Sequence, residues 1–409
     1  MEKLKLRKFA VAFTILYSLM PFVGVAVSVY LTTYSYMIFC ILFLILIILS
    51  KKTKSMNEYF TYALPFILYG ILTLFVRTES VSMWGYRQLL FVMPIIVGVY
   101  IVNYCNEECT LYSKVIVLSI IITCITTARG IQVYPGAARW LATVADSKDS
   151  MSITLSWMNV GGYSFIYTIV LLYPLLVLAY KKHKINILTS LSVAILGFWC
   201  ILSAEYTISL ILFAATSVMF FVKRNLKGRD MLIFAAVTFL LMIIFSSVMS
   251  GILRILAENV GSNDISARLT DLAGGLSGLE KSDDNRLALY MRSFNTFITH
   301  PIGTFLSGGG GVGGHSFILD ILAQYGIIGV FMLIFMYRKL YQIFYKKYQY
   351  EEDFGYIIWI FLQAMLLSTI NTGMWIDILA FYVPVVLSFL YGGSDEKDSL
   401  DSKYVVKTN

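Results

Sequence analysis

The sequence predicts an all-α, polytopic integral membrane protein of about twelve transmembrane helices with one large external loop. Two observations carry this. Hydrophobic residues make up 58% of the 409-residue chain and charged residues 14%, at mean hydropathy +0.76, where a soluble domain has roughly 45–50% apolar and about 25% charged residues. A helical span takes roughly 20 apolar residues, so the chain's apolar content serves on the order of twelve spans and leaves little for a soluble domain.

Taken in order, Met1–Lys8 carries Lys3, Lys5, Arg7 and Lys8 like the start of a signal peptide. The run Phe9–Leu31 exceeds the roughly 7–15 residues of a cleavable apolar core, which predicts an uncleaved first span. Apolar runs read against charge place the spans near 9–31, 34–50, 58–76, 86–104, 115–134, 160–180, 185–203, 205–222, 231–253, 315–336, 355–372 and 375–391. They form a single transmembrane domain, 1–391, followed by a polar, mixed-charge tail, 392–409, expected to be disordered and cytoplasmic. No internal repeat is visible.

Twelve spans put both termini on one side. With Met1 cytoplasmic, 22 Lys and Arg fall on inside segments and 10 on outside segments, the bias expected of cytoplasmic loops. The formal charge of +8 therefore reports orientation and does not indicate nucleic acid. Of the 22 inside residues 18 are lysine, whereas eight of the ten outside residues are arginine. Lysine is a hydrated point charge, and arginine's planar fork suits bidentate binding of carboxylate or phosphate. The outside thus reads as an anion-binding face, or as arginines anchoring helix ends at the headgroups.

Only two outside segments are long, 135–159 and 254–314. Long loops are commonly functional. Within the second, Asp284–Thr299 has helical periodicity: Leu287, Tyr290, Phe294 and Phe297 share one face, and Asn285, Arg292, Asn295 and Thr299 the other. Such a helix suits the outer membrane surface, with Arg292 central on its polar face and Arg286 at the edge.

Charged groups at membrane depth mark sites or partners. Fourteen residues separate Lys114 from Arg129, about 21 Å of helix against a core of roughly 30 Å, so the fifth span must run past a buried Arg129. Glu205 lies in the connection Ser203–Thr207, which the eighth span needs for its length. Ser316, Asp320 and Gln324 form a polar stripe at i, i+4, i+8 that must face protein or water. On a continuous helix His315 would sit about 100° from that stripe.

There are three histidines. His183 lies among lysines, and His300 precedes Pro301 at a helix end. His315 opens a span directly after the glycine-rich run Ser307–Gly314. Imidazole can accept a proton from a hydroxyl near neutral pH, and glycines let backbone N–H groups approach an anion; a flexible joint is the plainer reading of the run. It lacks the Gly-Lys-Ser/Thr ending of a nucleotide loop. The five cysteines, Cys40, Cys105, Cys109, Cys124 and Cys200, show neither a disulfide framework nor a zinc pattern. Asp146, Asp149, Asp283 and Asp284 read as solvated loop residues, and no metal cluster is expected.

The segment Asn285-Arg286-Leu-Ala-Leu-Tyr290-Met-Arg292, then His300-Pro301-Ile-Gly303, the glycine run and His315-Ser316 through Gly326-Ile-Ile-Gly329 resembles the signature of the bacterial O-antigen ligase and polysaccharide polymerase family. The resemblance is close over about 45 residues. It implies a fold like that of the lipid-linked-sugar (C-type) glycosyltransferases and a multi-pass location in the bacterial cytoplasmic membrane. The activity it implies is metal-independent transfer of a glycan from undecaprenyl pyrophosphate to a sugar hydroxyl, without a cofactor. It further implies the lipid bilayer, a chain-length regulator and a flippase of the same pathway as partners.

Arg286, Arg292 and His315 match motif positions as catalytic candidates. Arg129, Arg139, Arg268, Glu205 and Asp320 join them on physical grounds as substrate-binding candidates. Ser316 departs from the His-Asn common in ligases, which favours a capsule or exopolysaccharide polymerase, with a ligase as the alternative. From another class, a lipid-linked oligosaccharide flippase would gather its charges in a cavity between two similar halves. An anion transporter would interrupt helices in two corresponding repeats. Neither pattern is visible in the sequence.

Overall fold

The computed structural model describes residues 2–30, 106–143, 149–204, 206–221, 229–238, 286–304, 312–314, 316–371 and 375–392, together with positions 68, 94, 97, 98, 100–102, 240, 251, 255, 258, 259, 266 and 373. Among them the chain is mostly helical and has no strand. The helices are α1 (Glu2–Leu19), α2 (Pro21–Tyr30), α3 (Cys109–Val133), α4 (Ala137–Thr143), α5 (Ser150–Trp157), α6 (Tyr163–Lys181), α7 (Ile187–Ser203), α8 (Thr207–Phe221), α9 (Arg286–Thr299), α10 (Phe317–Phe344), α11 (Phe354–Ile370) and α12 (Val383–Tyr391). A π-helical segment, Ile378–Tyr382, leads into α12.

Among the described residues three helices, α3, α6 and most of α10, are long and apolar enough to cross a membrane, and the bent pair α1–α2 is a fourth candidate if it counts as one span. Shorter apolar helices coincide with the expected spans 185–203, 205–222, 355–372 and 375–391. The expected spans 34–50, 58–76 and 86–104 lie wholly or largely outside the described residues, as do most of 231–253 and the tail from 393.

Several expectations are corrected. The first span is two helices meeting at 107°. Pro21 lacks the N–H that would continue α1 and instead occupies the first position of α2, a place its fixed φ suits. The amides of Val23 and Gly24 restart the hydrogen bonding on the Met20 carbonyl. The eighth span begins at Thr207, so the connection carrying Glu205 does not lengthen it. The tenth continues to Phe344 and breaks at Gly326.

The chain divides into two compact units. In the first, built from α1 to α6 and α12, Arg7 pairs with Glu108 at 2.5 Å and the Tyr112 hydroxyl donates to the other Glu108 oxygen at 2.5 Å. This ties the start of α1 to the start of α3. Asn106–Glu108 also packs on α12, whose end meets that of α6 where Lys182 Nζ lies 4.0 Å over the Tyr391 ring. The segments gathered at this end are ones that the charge pattern assigns to a common side.

At the other end of this unit Asn159, in the left-handed region at φ 56, where asparagine is tolerated, joins three elements. Its Oδ1 accepts the Phe22 amide at 3.1 Å, and its Nδ2 donates to Thr123 Oγ1 at 3.1 Å and Thr126 Oγ1 at 3.0 Å. Asp149 is a helix cap rather than a merely solvated loop residue. It accepts the Ser152 amide at the start of α5 and the Trp140 indole N–H, which hold its carboxyl below the usual carboxylate range.

The second unit contains α8, α9, α10 and α11. Buried Thr216 of α8 uses its full hydrogen-bonding capacity: its hydroxyl donates to the Leu212 carbonyl at 2.9 Å and accepts from Trp359 Nε1 at 2.8 Å and Gln363 Nε2 at 2.9 Å. A hydroxyl has one proton and two lone pairs, so this joint between α8 and α11 is satisfied at Thr216. Tyr341 of α10 and Tyr345, the C-cap that follows it, pack on Phe361 of α11. Near the opposite end of α11 the Phe317 amide donates to the Asn371 carbonyl at 2.9 Å.

Candidate functional site

The start of α10 is a junction. Ser316 is its N-cap and accepts the Leu319 amide at 3.3 Å, which satisfies one of the free N–H groups of the first turn. Asp320, one turn along, accepts the Ser293 hydroxyl of α9 through Oδ1 at 2.6 Å and the Gly314 amide at 3.2 Å. Ser293 Oγ also accepts the Gly313 amide at 2.8 Å. One serine therefore joins the loop helix, the end of the glycine run and the polar stripe of α10.

The approach is close because Gly313 has no side chain: a Cβ there would overlap the backbone of Leu289. At Gly313 the glycine run is thus a packed joint, while Gly314, exposed and at φ 76, is tied through its amide alone. Tyr290 adds a further tie, its hydroxyl donating to the Ile370 carbonyl at the end of α11 at 2.9 Å.

A second contact lies one helical stretch further on. Gly326 sits at φ 64, ψ −167 inside α10, a region essentially confined to glycine. The break releases the Ile327 amide, which donates to the Pro301 carbonyl at 3.0 Å. The turn His300–Gly303 closes on itself through the Gly303 amide and the His300 carbonyl, 2.8 Å apart. The Pro-x-Gly turn and the first glycine of Gly-x-x-Gly, 25 residues apart in sequence, are therefore packed against each other.

The loop helix is rolled relative to the expected face. Tyr290 and Phe297 are partly buried, but Phe294 is 43% exposed, while Ser293 and Thr296 are buried at 1% and 7%. Small hydroxyl residues let α9 approach Gly313, whereas a phenylalanine at the contact would hold it off. Met291, Phe294 and Ile298 form an exposed apolar row beside exposed Arg292, Asn295 and Thr299.

The remaining candidates fall as follows. Arg286 opens α9, and Arg139 lies in α4 of the first unit. Arg129 stands one turn before the end of α3, and its side chain is exposed, not buried as the span length implied; α3 does run past it, to Val133. Glu205, Arg268 and His315 lie outside the described residues. Because α10 begins at Phe317 behind an N-cap at Ser316, the 100° offset expected for His315 on a continuous helix does not apply. Ser316 rather than His315 caps the helix.

Sequence reasoning missed Ser293, although a signal existed: it is three residues after Tyr290 and four before Phe297, inside the apolar face. It also passed over Asp377, immediately before the π-helical segment. Among the described residues no group of three His, Cys, Asp or Glu side chains is placed to hold a metal ion.

Fold and site define a helical chain with helices long and apolar enough to cross a membrane and a further helix, α9, latched onto the start of one of them. No family model, curated protein or solved structure matches the chain.

Proposed function

We propose that the chain is a polysaccharide polymerase of the bacterial cytoplasmic membrane, multi-pass with both termini cytoplasmic, that joins undecaprenyl-pyrophosphate-linked repeat units on the outer face. The observation that carries this reading is the junction of α9 with Gly313, Gly314 and Asp320. It brings the helix bearing Arg286 and Arg292 against the chain on both sides of His315. The two arginines neutralise the pyrophosphate as it leaves, a task suited to a planar fork. His315 accepts the proton of the acceptor hydroxyl as its oxygen bonds to the anomeric carbon. The bond from that carbon to pyrophosphate breaks, and the undecaprenyl pyrophosphate anion departs.

The test is chain extension by the purified protein in detergent, without a gradient, from lipid-linked repeat units. A ladder of lengthening products is expected, at an unchanged rate in EDTA, since the arginines take the place of a cation. Extension only across a sealed, energised membrane would reject the enzyme in favour of a transporter. Loss in EDTA with rescue by magnesium would reject the metal-independent mechanism.

Topology has its own test. A cysteine at Ser282, in a chain otherwise free of cysteine, is expected to react with an impermeant maleimide in intact cells. Reaction only after permeabilisation would place the loop inside and remove the catalytic reading.

A further inference from the structure

Helix α9 keeps pace with the first half of α10. Ser293 meets Asp320, and Pro301 meets Ile327, steps of eight residues on one segment and seven on the other, or about 10–12 Å of helix each. The two therefore run side by side in the same direction. By Gly313 the chain is back against Leu289, near the start of α9.

The depth of α10 sets the depth of α9. Beyond the break, Ile327 to Tyr337 is eleven residues before Arg338 and Lys339, and sixteen if carried to Gln342, about 16 to 24 Å of helix against a hydrocarbon core of roughly 30 Å. A crossing by α10 needs residues before the break as well. Ile327, and Pro301 with it, then lies about 6–14 Å inside the edge of the core.

The surface of α9 suits that depth. Leu289, Ser293, Thr296 and Phe297 form its packed side; Met291, Phe294 and Ile298 are exposed about 100–160° around the helix from Ser293, and Arg292, Asn295 and Thr299 are exposed at about 200–260°. One sector thus serves protein, one is apolar and one is polar. The apolar row goes on to exposed Ile302, whose backbone lies against Gly326, next to exposed Ile327. It continues down α10 through exposed Ile328, Phe331, Ile334 and Phe335, the outward side of a helix apolar enough to cross a membrane. Arg292 is placed at the level where that span starts, within reach of headgroups and water, and Thr299 turns its hydroxyl back onto the Asn295 carbonyl at 2.9 Å.

We propose that α9 and the turn His300–Gly303 are the descending arm of a re-entrant loop, which dips into the bilayer beside the first half of α10 rather than lying flat on its surface, with Met291, Phe294, Ile298 and Ile302 against lipid. This rests on α10 crossing the membrane and not on the polymerase activity.

The test places one nitroxide at Met291→Cys, Asn295→Cys, Ile298→Cys or Phe331→Cys, in the full chain otherwise free of cysteine and reconstituted in liposomes. Collision rates with oxygen, which partitions into lipid, and with a water-soluble nickel chelate give the depth of each. Ile298→Cys is expected to lie deeper than Met291→Cys by up to about 10 Å, the length of seven residues of helix, Phe331→Cys is expected to favour oxygen, and Asn295→Cys to favour nickel. Equal depths at Met291 and Ile298 would mean a helix flat on the surface and would overturn the dip. So would nickel contact at Ile298 as strong as at Asn295, which leaves α9 in water, or exclusion of both reagents there, which shows protein such as a second copy covering the row. Nickel contact at Phe331 would overturn it by taking α10 out of the bilayer. Chain extension in the same liposomes separates this from the polymerase: extension with a flat α9 rejects the dip alone, and a dipping α9 in a chain that does not extend glycans rejects the polymerase alone.

Discussion

His315→Gln is expected to lose roughly 10²–10⁴-fold in chain-extension rate, the range for removing a positioned general base. Glutamine keeps hydrogen-bonding capacity without the basicity of imidazole, so the substitution separates proton transfer from a structural role. The structure sharpens the comparison because Ser316, not His315, is the N-cap of α10; His315→Gln therefore leaves the helix start intact. Donor binding should survive, since the arginines hold the pyrophosphate. Arg292→Lys should also slow extension although it retains the charge, because an ammonium does not reproduce a bidentate hold. The measurement is extension rate at matched membrane abundance. Near-native synthesis by His315→Gln would remove the histidine from catalysis and leave leaving-group stabilisation by arginine as the mechanism.

Gly326→Ala is expected to be the most damaging single substitution for the stability of the junction. The backbone at φ 64, ψ −167 strains any residue with a Cβ, and that atom would overlap the carbonyl of Ile302. Backbone strain of about 1–3 kcal/mol adds to an overpacking cost of about 1–3 kcal/mol. Gly136→Ala is the matched control. Gly136 also has a positive φ, of 82, but a Cβ there meets nothing within 4 Å, so only the backbone part applies. Thermal unfolding of the two variants in detergent is expected to give a clearly larger drop in Tm for Gly326→Ala. Equal drops would mean that the Pro301 turn does not press on the break in α10.

Hydrophobic periodicity and charge were enough to read the helical class, the amphipathic α9, the extension of α3 past Arg129 and the polar stripe containing Asp320. These are local properties: a span announces itself by its apolar run, and a helix face by the spacing of its residues. The bend at Pro21 was also written locally, yet hydropathy averaged over a window is blind to one missing N–H. The roll of α9 was less legible. Periodicity grouped Phe294 with the buried face because phenylalanine is apolar, but the helix turned so that Ser293 met Gly313, since close approach and a hydrogen bond to Asp320 outweigh burying one ring.

What the sequence determined by itself is the menu of elements and the list of residues able to do chemistry: apolar helices, arginines set apart from the lysine-rich segments, and one histidine after a glycine run. What only the tertiary structure decided is which of these meet. The partner of Asp320 is 27 residues away, and the Pro301 carbonyl finds the Ile327 amide only because α10 breaks at Gly326. Such pairings depend on how two helices approach and on which backbone groups a break sets free, and neither quantity has a period or a composition to be read from the chain.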